Sequence, residues 1–236
     1  MILLRSLLFD ALLYALILIL GILLLPAAIH SRDGAYWAVR FYGRLMLWLL
    51  ERICGLKTEV RGPVPTEDVV IAAKHQSFLD ILILIATLPA PRFIMKQSLR
   101  WVPIFGFYAI RIGSTPVSRG RKGRAVHSMV KDVERKRSPG QLVIYPQGTR
   151  TAPGAKLPFK VGAGVIYERT GLPCVPAATN VGVFWGRKSL FRKPGLGVVE
   201  FLEPIPAGLR LAPFMETLEA QVEAASETLL DEALSR

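Results

Sequence analysis

A chain of 236 residues can build one large domain together with a membrane element, and a 51% hydrophobic content with mean hydropathy +0.37 is apolar for a soluble enzyme. Two cysteines, Cys54 and Cys174, supply neither a disulfide framework nor a metal cluster, so the expected compartment is reducing. The formal net charge of +12 calls for an anionic neighbour. With no helix-turn-helix, finger or aromatic RNA-binding signature, and apolar runs such as Val102 to Phe107 among the basic residues, lipid phosphate accounts for that charge better than nucleic acid.

From Ala11 to Ile29 nineteen residues carry no charge. As a helix they would extend about 28 Å, enough to enter or cross hydrocarbon. Arg5 ahead of this run permits a secretory-signal reading. The run nevertheless exceeds a usual signal core, Asp10 interrupts its approach, and Ala27-Ala28-Ile29-His30 is a weak cleavage site, so a retained anchor is expected. Ala35 to Cys54 then sets Trp37, Phe41, Tyr42, Leu45, Trp48 and Leu49 beside Arg40, Arg44 and Arg52. These residue types suit the boundary between headgroups and hydrocarbon, although a core helix of the folded domain fits the same pattern. Residues 1–54 are thus expected to form a membrane-associated helical segment and residues 55–236 an α/β domain. The basic sequence after the first apolar helix places that domain at the cell inner membrane or the cytoplasmic face of a membrane.

Beyond residue 55 short apolar runs alternate with helix-like intervals. Strands are expected over Val69 to Ala73, Arg92 to Lys96, Gln141 to Tyr145, Cys174 to Thr179 and Gly197 to Phe201. Helices are expected over Phe78 to Thr87, Gly120 to Arg137, Phe159 to Thr170 and Pro213 to Ala233. This alternation predicts an α/β fold with a mixed sheet flanked by helices. Between residues 81 and 167 fifteen Lys or Arg face only Asp132 and Glu134, whereas Glu200 to Arg236 holds eight acids and two bases. The central region therefore carries a positive field. The acidic last helix is read as packing over the sheet and tempering that basic surface.

Within AAKHQSFLD, His75 follows the apolar run Val69 to Ala73 and precedes Asp80 by five residues. Five residues turn through about 140° on an ideal helix, so two helical side chains at this spacing would not face each other. His75 on a loop and Asp80 in the first turn of the next helix can meet, as a base and its orienting carboxylate. The same residues also read structurally. Ser77 and Asp80 form an S-x-x-D capping spacing, which needs no chemistry.

Four further pieces bear on that choice. Gly113-Ser114-Thr115-Pro116-Val117-Ser118-Arg119 ends on a base, and Tyr145-Pro146-Gln147-Gly148-Thr149-Arg150 follows an apolar run. Lys156 and Lys160 come soon after, and Leu172-Pro173-Cys174-Val175-Pro176-Ala177 leads into another strand. Together with KHQSFLD these resemble the four ordered blocks of the glycerolipid acyltransferase family, over roughly residues 69 to 180. The resemblance implies that His75 and Asp80 are catalytic and that Gly113 and Arg119 bound a block whose arginine meets the acceptor phosphate. It implies substrate-binding roles for Arg150, Gln147, Gly148, Thr149 and Lys96, with Lys156 and Lys160 as helpers, and a pocket-shaping role for Val175-Pro176.

Three places depart from the pattern, the first being Gln97-Ser98, which follows Lys96 where the family usually has a basic and an acidic residue. Gln147 stands where the family usually has glutamate; it keeps a carbonyl acceptor and gains N–H donors but cannot act as a carboxylate base. Lys74 replaces the usual asparagine, adding a positive group able to hold phosphate or perturb His75. The implied chemistry is direct acyl transfer. His75 takes the proton of a lysophospholipid hydroxyl as it attacks an acyl thioester, either acyl-CoA or an acyl-carrier protein, and no metal or redox cofactor is needed. Backbone N–H groups near Gly148 or the His75 loop are candidate oxyanion donors. The expected acceptor is 1-acyl-sn-glycerol 3-phosphate. Another lysolipid, such as lyso-ornithine lipid, and a noncatalytic scaffold for anionic membrane lipids stay open as alternatives.

Overall fold

The computed structural model describes residues 1–117, 130–133 and 138–235. In chain order the elements are α1 (Ile2–Leu23), α2 (Leu25–His30), α3 (Arg32–Cys54), β1 (Leu56–Arg61), β2 (Val70–Ala73), α4 (Leu79–Thr87) and β3 (Arg92–Lys96). They continue through α5 (Phe105–Arg111), β4 (Thr115–Val117), β5 (Leu142–Ile144), α6 (Gly162–Thr170), β6 (Cys174–Thr179), β7 (Gly195–Phe201) and α7 (Leu211–Leu234). Among the described residues seven strands form one sheet in the order β1-β7-β6-β2-β5-β3-β4. Only the β6–β7 pair is antiparallel, so the sheet is mixed.

Alternation along the central strands builds the two helical layers. Successive strand residues point to opposite faces, and a central parallel strand covered on both sides is apolar throughout. Ile71 and Ala73 pack with Val143 and Val175 against Met46 and Leu50 of α3 and Leu79 and Leu82 of α4. Val70 and Ala72 pack with Leu142 and Ile144 against Ile166 and Tyr167 of α6 and Phe214, Leu218 and Val222 of α7. Each large side chain buried this way contributes about 1.5–3 kcal/mol. The fourfold spacing of Phe214, Leu218 and Val222 is the inward stripe of an amphipathic helix.

The uncharged N-terminal run is two helices rather than one. Pro26 sits in the first turn of α2, where its missing N–H is tolerated, and α1 ends before it. α1 starts earlier than expected and includes Arg5 and Asp10. Its 22 residues span about 33 Å, long and apolar enough to cross a membrane, and most of them are not buried. Phe9 and Leu13 on its inner face join the core beneath the sheet, while Leu4, Leu8 and Ile22 are exposed. Asp10 pairs with Arg192 at 2.6 Å, and Ser6 Oγ accepts the Arg192 N–H at 2.9 Å. α3 satisfies both readings of its segment on different faces: Met46, Leu50 and Cys54 are buried, and Trp37, Phe41 and Trp48 are exposed. α1 and the second half of α3 thereby share a core with the sheet, while Ala28, Ala35, Tyr36 and Ala38 pack with Tyr108 and Ile112 in a separate cluster.

β1 and β4 go beyond the expected strands. Both are edge strands: β1 mixes the buried Leu56 and the apolar Val60 with Lys57, Thr58, Glu59 and Arg61, and β4 has three residues and carries Pro116, which an edge tolerates. α5, which begins within the apolar run Val102 to Phe107, is a helix outside the expected set. The helix expected over 120–137 lies largely outside the described residues, within which 130–133 are helical.

Candidate active site

β2 lies between β5 and β6, and its last pairing is the Lys74 N–H donating to Ala177 O at 2.9 Å. The chain then leaves the carboxyl end of the sheet, the usual location of sites in open α/β sheets. His75 sits in this turn and Asp80 in the first turn of α4, as the spacing predicts. His75 Nδ1 lies 2.9 Å from Asp80 Oδ1 and 3.1 Å from Oδ2. Asp80 is 1% exposed and also accepts the N–H groups of Gln76 at 2.9 Å and Ser77 at 2.8 Å, and the Tyr145 hydroxyl at 3.1 Å. Ser77 Oγ in turn accepts the Leu79 N–H at 3.1 Å. Capping and orienting therefore share one turn: Ser77 Oγ takes the first N–H of α4, and the Asp80 carboxylate ties down the loop ahead of it while holding the imidazole.

An ionised carboxylate only accepts, so against Asp80 a neutral ring places its proton on Nδ1 and its lone pair on Nε2. Tyr145 fixes the ring plane by stacking on it, with centroids 3.9 Å apart and 19° between planes. Burial, reinforced by the charge and hydrogen bond of Asp80 and opposed by Arg150, holds the Tyr145 phenol well above its ordinary pKa. It stays protonated and donates to Asp80. By contrast, Cys54 and Cys174 are buried, and burial pushes the Cys174 thiol up to about 12. Both pack as small apolar groups.

His75 lines a cavity of about 1040 Å³. Its cationic lining comes from Lys96 at the end of β3 and from Arg150, Lys160, Arg187 and Lys188 on loops, beside Gly148 and Thr149. Its helix-borne lining is apolar, including Leu20 of α1, Tyr42 of α3, Ile81 and Ile85 of α4 and Tyr108 of α5. Arg187 donates to Thr149 Oγ1 at 3.3 Å. Gly148 has φ +66°, and a Cβ there would lie 2.8 Å from Lys160 Nζ. Gly148→Ala is expected to cost about 1–2 kcal/mol from the left-handed backbone and to displace Lys160. Urea denaturation and the acceptor KM together check both effects.

Several expected site residues lie elsewhere. Gln147 is 2% exposed and donates through Nε2 to Glu223 Oε1 at 3.2 Å, behind the turn rather than in the cavity. Lys74 likewise turns away, its Nζ 2.5 Å from Glu223 Oε2, and does not face phosphate. Lys156 forms an ion pair with Glu227 and is also outside the cavity lining. Val175 and Pro176 pair with Ile71 and Ala72 in β6, supporting the strand under His75 instead of shaping the cavity. The Gly148 N–H is bonded to Tyr145 O, and those of Gln76 and Ser77 to Asp80, so none of these is available to an oxyanion. Gly113 has φ +87° and packs beside Arg32, while Arg119 lies outside the described residues.

Sequence reasoning misses Tyr145 as the ring support and Arg187, Lys188 and Glu223 altogether. The run Trp185-Gly186-Arg187-Lys188 is the available signal for the two cations. Nothing local marks Glu223 among the other acids of α7.

A match to the Acyltransferase family covers residues 57–180, from β1 to just past β6. The 1-acyl-sn-glycerol-3-phosphate acyltransferase of Pseudomonas aeruginosa is 28% identical over 196 residues, covering 81% of this chain and 76% of that protein. The human 1-acyl-sn-glycerol-3-phosphate acyltransferase alpha is 30% identical over 197 residues, covering 80% of this chain and 69% of its own. Among solved structures, the 1-acyl-sn-glycerophosphate acyltransferase PlsC from Thermotoga maritima superposes with a TM-score of 0.80 at 21% identity, over 97% of this chain and 95% of that one. That likeness extends the shared fold to the N-terminal helices. The chain therefore belongs to the Acyltransferase family, whose chemistry is acyl transfer.

Proposed function

We propose that the protein transfers an acyl group from a thioester to the sn-2 hydroxyl of 1-acyl-sn-glycerol 3-phosphate, forming phosphatidic acid. One observation supports this most: a single cavity joins His75 to cationic loops and to an apolar interior. A lysophospholipid has matching parts, an anionic headgroup, a secondary alcohol and a hydrocarbon chain. The names of the Pseudomonas and human relatives point to the same acceptor.

In this mechanism His75 Nε2 accepts the hydroxyl proton as the alcohol oxygen attacks the thioester carbonyl. Asp80 stabilises the imidazolium that forms, and the ring then protonates the departing thiolate. The donor is acyl-CoA or an acyl-carrier protein, both of which present phosphate to a basic surface. Arg150 is the headgroup ligand, with Arg187 and Lys160 beside it, because a planar guanidinium makes paired bonds to phosphate. The exposed face of α1 and the aromatic face of α3 associate with a membrane, with the catalytic domain on its cytoplasmic side.

The test is a matrix of acceptors and donors followed by mass analysis of the lipid products. Lysophosphatidic acid and a lyso-aminolipid are each paired with acyl-CoA and acyl-carrier protein. Phosphatidic acid as the main product supports the assignment; a diacyl aminolipid would replace it, and binding without product would leave only a lipid scaffold. Losing a charge-assisted bond worth about 1.5–3 kcal/mol predicts that Arg150→Ala raises the KM for lysophosphatidic acid about 10- to 100-fold. Its kcat should change much less.

A further inference from the structure

We infer that Glu223 on α7 is a positioning residue for acyl transfer, one buried carboxylate fixing the residue before the base and the residue before the headgroup turn. This rests on the reaction proposed above. Val70 and Ala72 face α6 and α7, and Lys74 continues that side of the strand while His75 continues the other. Lys74 thus reaches into the layer formed by α6 and α7, to Glu223 Oε2 at 2.5 Å. The second oxygen, Oε1, accepts the Gln147 amide at 3.2 Å. Lys74 and Gln147 are each 2% exposed and Glu223 9%, beside the apolar stripe of Phe214, Leu218 and Val222.

Gln147 Oε1 is buried without a hydrogen-bond partner, so among the described contacts the bond to Glu223 alone orients this amide. A buried ion pair adds little net stability over apolar residues of the same volume, because desolvation offsets the attraction. Its geometric effect is specific. Lys74 adjoins His75, and Gln147 adjoins Gly148, so Glu223 sets the separation of the two cleft walls from behind. Misplacing reacting groups by about 1 Å costs up to about 100-fold in rate.

Three variants of the full chain in lipid test this. Glu223→Gln removes the charge at constant shape. Gln147→Glu with Glu223→Gln moves the carboxylate onto the loop and preserves net charge. Lys74→Met with Glu223→Met deletes the pair and keeps the layer apolar. Each is measured for kcat, acceptor KM, thermal stability and the pH titration of the His75 ring by NMR, which needs no substrate.

The expected results are an about 10- to 100-fold lower kcat for Glu223→Gln with a perturbed His75 titration, and recovery of most of that loss by the exchanged pair. The double-Met variant leaves the Gln147 amide unpaired and should melt somewhat lower; its loss of turnover with a perturbed His75 titration while still folded is what a purely structural role would not produce. Wild-type turnover and His75 titration in the double-Met variant, or no recovery by the folded exchanged pair, overturns the inference. If the wild-type chain acylates none of the lysolipids, the proposed function fails on its own, and the His75 titrations still decide whether Glu223 positions the ring.

Discussion

His75→Ala is expected to lower the kcat for acyl transfer by about 10²- to 10⁴-fold, the range contributed by a positioned general base. The ring lines the cavity with Nδ1 held by Asp80 at 2.9 Å, and among the described residues Nε2 has no hydrogen-bond partner. Alanine removes the proton acceptor but neither Asp80's bonds to Gln76 and Ser77 nor the cationic lining, so α4 should still start in place. The variant should therefore bind anionic vesicles like the wild type and keep a near-normal acceptor KM. Paired turnover and vesicle co-sedimentation on reconstituted protein measure both. Wild-type turnover would remove His75 from the role of base.

Asp80→Asn should lose either activity, by about 10²- to 10⁴-fold, or stability, according to which way the amide settles. An amide can accept on one side only. With its oxygen kept toward the Gln76 and Ser77 N–H groups, its NH₂ faces His75 Nδ1 and the Tyr145 hydroxyl. Nδ1 must then accept, which puts the ring proton on Nε2 and removes the base. Turning the amide over restores the tautomer and leaves two buried N–H groups against a donor, at about 1–3 kcal/mol each. Turnover and urea denaturation on the same preparation separate the branches: low activity with near-normal stability marks the wrong tautomer, low stability the broken cap. A variant normal in both would sink the orienting role.

Much of the layered fold is legible because its signals are local. The apolar runs of β2, β3 and β6 are bounded by turns, and the stripe on α7 repeats at helical spacing. β1 and β4 escape because edge strands carry polar residues or proline for reasons of solubility and pairing, not patterning. At the site, the His75–Asp80 geometry follows from five-residue spacing across a strand-to-helix turn. Gln147 does not follow from its neighbours, since which way a loop side chain points depends on Glu223, 76 residues away. Arg187 likewise reaches Thr149 only through the fold. The C-terminal helix reads as packing, and most of it is; its one buried acid is the exception.

The central strand also has a consequence for how specificity can diverge. Ala72 is matched to Ile144 on one side and to Pro176 on the other, so the heights of the proton-transfer groups are locked by two registers at once. A slip of one residue would turn the imidazole toward the opposite layer. The cavity-lining residues to which the proposed function assigns the polar head, at 148–150 and 187–188, hang on connecting segments with no such two-sided register. Exchange of one lipid alcohol for another can thus proceed by editing the overhang, while the catalytic scaffold beneath stays unchanged.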